Sequence, residues 1–332
     1  MPANSAPALH LGVPRKLVDD GHHNAFTDMC AFGGRYYLTY RRCPDGHMLF
    51  STSQIVVLAS DDGADWEEVL TFGAAPRDVR DPHLLVFNGR LFVYTGAWQL
   101  PEEGQPRTLN DHLGYAAYSD DGRQWHGPVQ LEGTYGHYIW RAAVHCSTAY
   151  LCGRRRKGYA TGEEEKTDRT QIESALLQSD DGLVWRYCGL FTEEYGDETA
   201  FLFEEDGELV ALARGADARP ARICRSRPPY SAWSRTDLER NVGGPLLAKW
   251  NGRYLVGGRK TLDSNTPRTT LYWLVNDQLH EIGELPSGGD NSYPGFVALD
   301  DKRALLSYYS SHEGSGSGLA PSAIYLTELR LD

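Results

Sequence analysis

The sequence predicts an all-β protein: a six-bladed β-propeller of four-stranded antiparallel blades, forming one domain over residues 1–332. Three observations predict it. The string S-D-D-G-x-x-W occurs at Ser60–Trp66, Ser119–Trp125 and Ser179–Trp185, with starts 59 and 60 residues apart. Self-similarity at such a period marks repeated supersecondary units. The chain holds 35 Gly, 17 Pro and 19 Tyr against 3 Met, which suits many short strands joined by turns. No long apolar stripe of helical period interrupts the strand-like runs.

Each S-D-D-G turn follows a β-rich run (QIVVLA, LGYAAY, ESALLQ) and precedes another strand, so it reads as a hairpin turn whose tryptophan packs back onto its own sheet. Before each copy stand two further runs split by a short turn: FTDMCAF and GRYYLTYR, PHLLVFN and GRLFVYTG, WRAAVHC and AYLCGRR. The pattern continues through ETAFLFEEDGELVALARG, GPLLAKWNGRYLVGGRK and YPGFVALDDKRALLSYYS, placing inner-strand starts near residues 24, 81, 140, 198, 244 and 293. The last blade has three strands, ending in IYLTELRLD, and the N-terminal run PRKLV is expected to supply the fourth and close the ring, removing an open sheet edge. A five-bladed ring is the rival count, since an R-D-P turn of the kind found in five-bladed glycosidases stands at Arg80-Asp81-Pro82; the six inner-strand starts favour six. The glycine- and serine-rich SYYSSHEGSGSGLAPSA is expected to loop over one face.

A formal charge of -12 argues against nucleic-acid and anionic-membrane partners, because the summed field repels polyanions. The opening MPANSAPALHLGVPRK lacks the apolar stretch of a signal peptide, and no apolar run is long enough to span a bilayer, so the chain as it stands is expected to be cytoplasmic, the alternative being a secreted or periplasmic protein whose leader has been removed. Six cysteines without a C-x-x-C pair read as reduced, mostly buried thiols. No cofactor is expected. His22, His23, His83, Asp81 and His312 lack the H-x-x-x-H or H-E-x-x-H spacing that would support a metal site, and none is expected.

The three turns resemble the Asp-box of the sialidase superfamily, S-x-D-x-G-x-x-W, each one residue shorter, and such turns lie on the propeller rim and serve folding. The segment DETAFLFEEDGELVALAR resembles the sialidase segment in which a glutamate, here Glu198, opens a strand and an arginine, here Arg214, ends the next. GPLLAKWNGRYLVGGR places Arg259 at the end of a second strand, and NSYPGFVAL places Tyr293 at the start of the last inner strand. The resemblance implies a carbohydrate substrate, Tyr293 as nucleophile, Glu198 as its base, and Arg214 and Arg259 as carboxylate ligands. The chemistry is coherent: a phenol of pKa about 10 needs a neighbouring base, and arginines bind carboxylates through charge-assisted, bidentate hydrogen bonds. The sequence also departs from the family. Where sialidases carry R-I-P at the start of blade one, this chain reads His22-His23-Asn24-Ala25-Phe26. Arg41 and Arg42 are candidate replacements for that arginine, and Asp45 in the following loop lies where the family has its acid/base aspartate.

Asp81 is expected at the funnel rim as a general acid or a sugar-hydroxyl acceptor, the alternative being a pair with Arg80 or a turn cap. His23 can donate a proton or abstract one from a uronic acid, the alternative being a hydrogen-bonded structural histidine. Arg80, and Trp140 beside Arg141, are candidate sugar contacts. The run Arg154-Arg155-Arg156-Lys157 is expected to be answered by the acidic stretch that follows. Three functions stay open: a glycoside hydrolase acting on an acidic or polar sugar, a polysaccharide lyase in which His23 or Tyr293 removes a uronate proton, and a sugar-binding propeller without catalysis.

Overall fold

The computed structural model describes residues 7–103, 105, 107–159, 168–261, 266–313 and 321–332. They form six antiparallel sheets, with inner strands His23–Phe32, Asp78–Phe87, Tyr138–His145, Thr199–Phe203, Gly243–Trp250 and Asn291–Ala298 for blades one to six. Each inner strand packs against that of the next blade, and the sixth packs against the first. The ring is therefore closed. Blades one to five have four strands in sequence order from the bore outward. Blade six takes its outer part from the N-terminus, where two short strands, Leu9–Leu11 and Arg15–Val18, pair with opposite ends of Ala323–Leu331. The run PRKLV thus closes the ring as expected, joined by a second strand, LHL, that the sequence reading left out. Among the described residues no helix is long and apolar enough to cross a membrane, and all six cysteines are free.

The core lies between blades. Tyr37, Ile55 and Val57 of blade one meet Val79, Leu84 and Val93 of blade two, and Phe92 and Tyr94 of blade two meet Leu151, Leu177 and Trp185 of blade three. The repeated turns hold these layers at the rim. Ser60, Ser119 and Ser179 accept at Oγ from the amides of Gly63, Gly122 and Gly182 at 2.8, 2.8 and 2.9 Å, while Asp62, Asp121 and Asp181 each accept two amides further on. The three glycines have φ of +76°, +71° and +82°, which a residue with Cβ rarely adopts. Each glycine carbonyl then accepts from the neighbouring blade: Arg15 Nη2 at Gly63, Tyr37 OH at Gly122 and Tyr94 OH at Gly182. Blade four carries a degenerate copy, Ser226–Trp233, in which Trp233 Nε1 donates to the Tyr230 carbonyl as Trp66 Nε1 does to Gly63.

Two further features position the site. In five blades the inner strand shifts register through a bulge, between Ala25 and Asp28, Arg80 and His83, Ile139 and Ala142, Gly243 and Leu246, and Ser292 and Gly295. The bulges hold Phe26, Asp81, Gly244 and Tyr293 at φ of +62°, +53°, +58° and +54°. Such backbone costs a non-glycine residue about 1–2 kcal/mol and concentrates at functional positions.

Below the bulges, Arg141 of blade three donates from Nε to Pro245 O (2.9 Å), from Nη2 to Pro294 O (2.7 Å) and from Nη1 to Asp28 Oδ1 (2.9 Å). Asp28 Oδ2 accepts from the Leu84 amide at 3.0 Å and faces His83 Nδ1 at 3.3 Å. Burial would raise the Asp28 carboxyl, but Arg141 and His83 outweigh it and hold it below its ordinary range. Removing one member of such a pair strands the other. Arg141→Met should cost about 3–5 kcal/mol in urea unfolding, and adding Asp28→Asn should return part of that loss; a single variant within 1 kcal/mol of wild type, on the order of ordinary surface changes, would remove Arg141 from its bracing role.

Candidate active site

The funnel above Arg141 is lined by the first residues of the inner strands and the last of the second strands, the ends that converge on the bore. Tyr293, on the blade-six bulge, donates its hydroxyl to Glu198 Oε1. Glu198, immediately before the inner strand of blade four, accepts at Oε2 from Arg214 Nη1 (2.7 Å) and the Gly244 amide (3.0 Å). Gly244 must be glycine, because a Cβ there would stand 2.5 Å from the Tyr293 ring. Phe26 and Trp140 flank that ring edge-on at centroid distances of 4.8 and 6.0 Å. Burial first, then the charges of Glu198 and Asp81, push the Tyr293 phenol well above its usual value. It is therefore a neutral donor until Glu198 takes its proton.

Asp81 sits in the same cluster. Its Oδ2 accepts from Tyr138 OH, and its Oδ1 is buried without a partner. Burial and the nearby Glu198 push this carboxyl well above the carboxylate range. Arg80 does not pair with it but with Asp78, whose two oxygens receive Arg80 Nε and Arg41 Nη2 at 2.6 Å each. Asp78, fully buried, is held below its ordinary value by those two guanidiniums against the opposing effect of burial.

A second carboxylate cluster lies beside Tyr293. Asp290 Oδ2 meets His47 Nδ1 at 2.7 Å and His23 Nε2 at 2.9 Å, and its Oδ1 accepts from Tyr309 OH at 2.8 Å with Arg259 Nη1 at 3.7 Å. Burial acts against the Asp290 charge, yet hydrogen bonds from the two histidines hold its carboxyl well below the usual range. Arg154 Nη1 and Arg214 Nε flank Asp197 at 2.5 and 3.6 Å.

No protein-family model and no characterised protein sequence matches the chain. Among solved structures, the Trypanosoma rangeli sialidase in complex with sialic acid is similar at a TM-score of 0.66 and 14% identity, over 98% of this chain and 59% of that one. The Hadza microbial sialidase Hz136 is similar at a TM-score of 0.68 and 15% identity, over 92% of this chain and 65% of that one. The chain has the sialidase fold. It spans about three-fifths of the length of those two sialidases. A protein of unknown function from Dyadobacter fermentans matches over its whole length, with a TM-score of 0.81, 20% identity and 98% of this chain covered.

Within the sialidase fold the residues singled out from sequence separate into groups. Tyr293, Glu198, Arg214 and Asp81 come together, and Arg259 and His23 meet at Asp290. Arg80 and Arg41 face the funnel wall but are joined to Asp78; Arg41 is fully buried and also donates to the carbonyls of Gly46, Met48 and Val79. Arg141 has its donors on Asp28, Pro245 and Pro294, so it braces the bore rather than reaching into the funnel. Trp140 is buried between His83, Arg141 and Tyr293. Arg42 points the opposite way from Arg41, to Glu68 and Gln54 on the outer surface. Asp45 is exposed and accepts from Thr52 Oγ1, with its loop neighbour His47 taking the inward position. Arg154 and Arg155 of the basic run pair with Asp197 and Glu173; residues 160–167 of the acidic stretch expected to answer the run, and residues 314–320 of the glycine-serine loop, lie outside the described residues. Asp78, Asp290, His47 and Asp28 were not singled out, although a carboxylate two residues before R-D-P and one inside the apolar run FTDMCAF were signals available to find Asp78 and Asp28.

The raised Asp81 has a measurable consequence. Between the unfolded pKa of about 3.9 and its higher folded value, the folded state binds more protons, so this group's contribution to stability is full below the unfolded pKa and is lost as pH rises through the folded one. Asp81→Asn should therefore gain stability relative to wild type on going from pH 4 to pH 7 in urea unfolding; a constant difference would show that Asp81 ionises freely in the fold.

Proposed function

We propose that the chain is a sialidase-like glycoside hydrolase acting on an acidic or polar sugar residue of a glycan. The observation that carries this reading is the Tyr293 hydroxyl donating to Glu198, whose other oxygen is fixed by Arg214 and the Gly244 amide. A buried phenol is a poor nucleophile. With a carboxylate already on its proton it can form a bond to an anomeric carbon as that proton moves to Glu198, and Arg214 steadies the charge through the transfer. Asp81, whose Oδ1 is unpartnered at the funnel floor, is a partner for a sugar hydroxyl. The neighbouring solved sialidases support the carbohydrate class of the substrate.

The state of the arginines bears on which sugar. Arg41 and Arg80 face Asp78, Arg154 and Arg214 face Asp197 and Glu198, and Arg259 faces Asp290. A substrate carboxylate would compete with resident carboxylates for every one of them, which favours a sugar recognised chiefly through its hydroxyls over one gripped by a bare arginine clamp.

A panel of sialosides, uronic-acid glycans and neutral aryl glycosides, read for both reducing sugar and ultraviolet absorbance, tests the proposal. From the uronic-acid glycans reducing sugar is expected without unsaturated-uronate absorbance, and Tyr293→Phe should lower turnover at least about 100-fold. Such absorbance, distinct from the phenol an aryl glycoside releases, would make the protein a lyase. Saturable glycan binding, indifferent to Tyr293→Phe and without turnover, would make it a sugar-binding propeller.

A further inference from the structure

We infer that His47, oriented by Asp290, is the proton-transfer group of this funnel; the inference rests on the hydrolase reading above. A glycoside hydrolase with a tyrosine nucleophile needs a second group that gives a proton to the departing oxygen. The two carboxyls expected for this task are poorly placed for it. Asp45 faces Thr52 and solvent, and the Oδ2 of Asp81 is taken by the Tyr138 hydroxyl.

The hydrogen-bond pattern around Asp290 fixes the histidine tautomers. Arg41 has donors only, so His23 Nδ1, 3.5 Å from Arg41 Nη1, is an acceptor and His23 Nε2 carries the hydrogen directed at Asp290 Oδ2. His47 Nδ1 faces the same carboxylate oxygen and must likewise carry a hydrogen. That leaves His47 Nε2 as the site that gains or loses a proton. The two histidines differ in access: the His23 side chain is 1% exposed and that of His47 is 32% exposed. His47 packs edge-on to Phe26 at 5.6 Å, and Phe26 to Tyr293 at 4.8 Å, so one aromatic ring separates His47 from the nucleophile across the funnel.

The groups facing His47 are Asp290 and, through it, Arg259 and Tyr309 from blades five and six, His23 from blade one, and Arg80 of blade two, which donates to the His47 carbonyl at 3.1 Å. A carboxylate holding Nδ1–H while Nε2 meets the reactants is the arrangement by which an orienting acid fixes a catalytic imidazole. The ligating atoms of His23, His47 and Asp290 also lie within 4.8 Å of one another, a spacing that suits a divalent cation. Ligation through His23 Nε2 would, however, turn an Nδ1–H against the Arg41 guanidinium.

The step balances. Protonated His47 gives its Nε2 proton to the glycosidic oxygen as the bond to the anomeric carbon breaks; Tyr293 oxygen bonds that carbon and its proton passes to Glu198. Water then attacks the anomeric carbon and leaves its proton on His47 Nε2, while the Tyr293–carbon bond breaks and Glu198 returns the proton to the phenolate. Asp290 is a positioning residue throughout.

Two measurements on the full chain separate this inference from the reading it rests on. Long-range proton–nitrogen spectra of the imidazoles need no substrate: His47 should show the Nδ1–H tautomer, and Asp290→Asn should mix its tautomers. On glycosides of a sugar that the wild type hydrolyses, His47→Ala should lose about 10²–10⁴-fold in turnover with an alkyl leaving group, much less with dinitrophenyl, and regain rate with added imidazole. An Nε2–H tautomer at His47, an unchanged pH–rate profile in His47→Ala, or tight Zn²⁺ binding abolished by that substitution would overturn the assignment. A correct tautomer in a protein that turns over no glycoside would instead count against the hydrolase reading alone.

Discussion

Arg141 reaches from blade three across the bore to the carbonyls of Pro245 and Pro294 and to Asp28, and through Asp28 to the blade-two segment at His83 and Leu84. Five of the six inner strands are thereby tied to one planar guanidinium and one carboxylate. Burying such a pair is favourable only where every donor and acceptor is satisfied, and arginine, with a fixed fork of donors, meets that condition where lysine would not. The brace also reaches the candidate site directly, since Pro294 follows Tyr293 in the chain. Thr27 adds a hydroxyl bond to the Tyr293 carbonyl at 2.7 Å, so the backbone carrying the phenol is held on two sides.

Upon that floor the fold sets carboxyls with opposed properties a short distance apart. Asp28 and Asp78 are pulled down chiefly by the guanidiniums placed against them and Asp290 by hydrogen bonds from two histidines, while Asp81 is pushed up by burial and by the nearby Glu198. Groups driven apart in this way differ in charge at one pH while sharing one cluster.

How much of this was legible in the sequence follows from the range of each interaction. The ring count was legible because the turn signal is local: serine, aspartate and glycine at fixed offsets bond one another's backbone whatever lies beyond. The fourth turn escaped because Ser226–Trp233 keeps the serine and tryptophan but replaces the aspartate and glycine with prolines and other residues. Tyr293, Glu198 and Arg214 were legible through the resemblance of their segments to those of sialidases, and the convergence of strand ends on the bore is what lets such short segments meet in space. Partners were not. Arg41 and Arg42 look equivalent as neighbours, yet the period of two sends one to buried Asp78 and the other to Glu68 on the surface. His47 and Asp290 lie 243 residues apart in the chain, in loops whose paths no local pattern dictates.

The bulges repeated in blades one, two, three, five and six act at one depth of the ring, and in blades one, two and six each turns one side chain upward, Phe26, Asp81 and Tyr293, while blade five supplies the gap of Gly244. Because a bulge confines its irregularity to two or three residues, the paired strand on either side keeps its register. The funnel floor thus works as a set of sockets: a change of side chain at Phe26, Asp81 or Tyr293 leaves the tiling of the blades alone, while Gly244 must stay bare to make room for the Tyr293 ring, so the chemistry of the floor can be rewritten by changing a handful of letters.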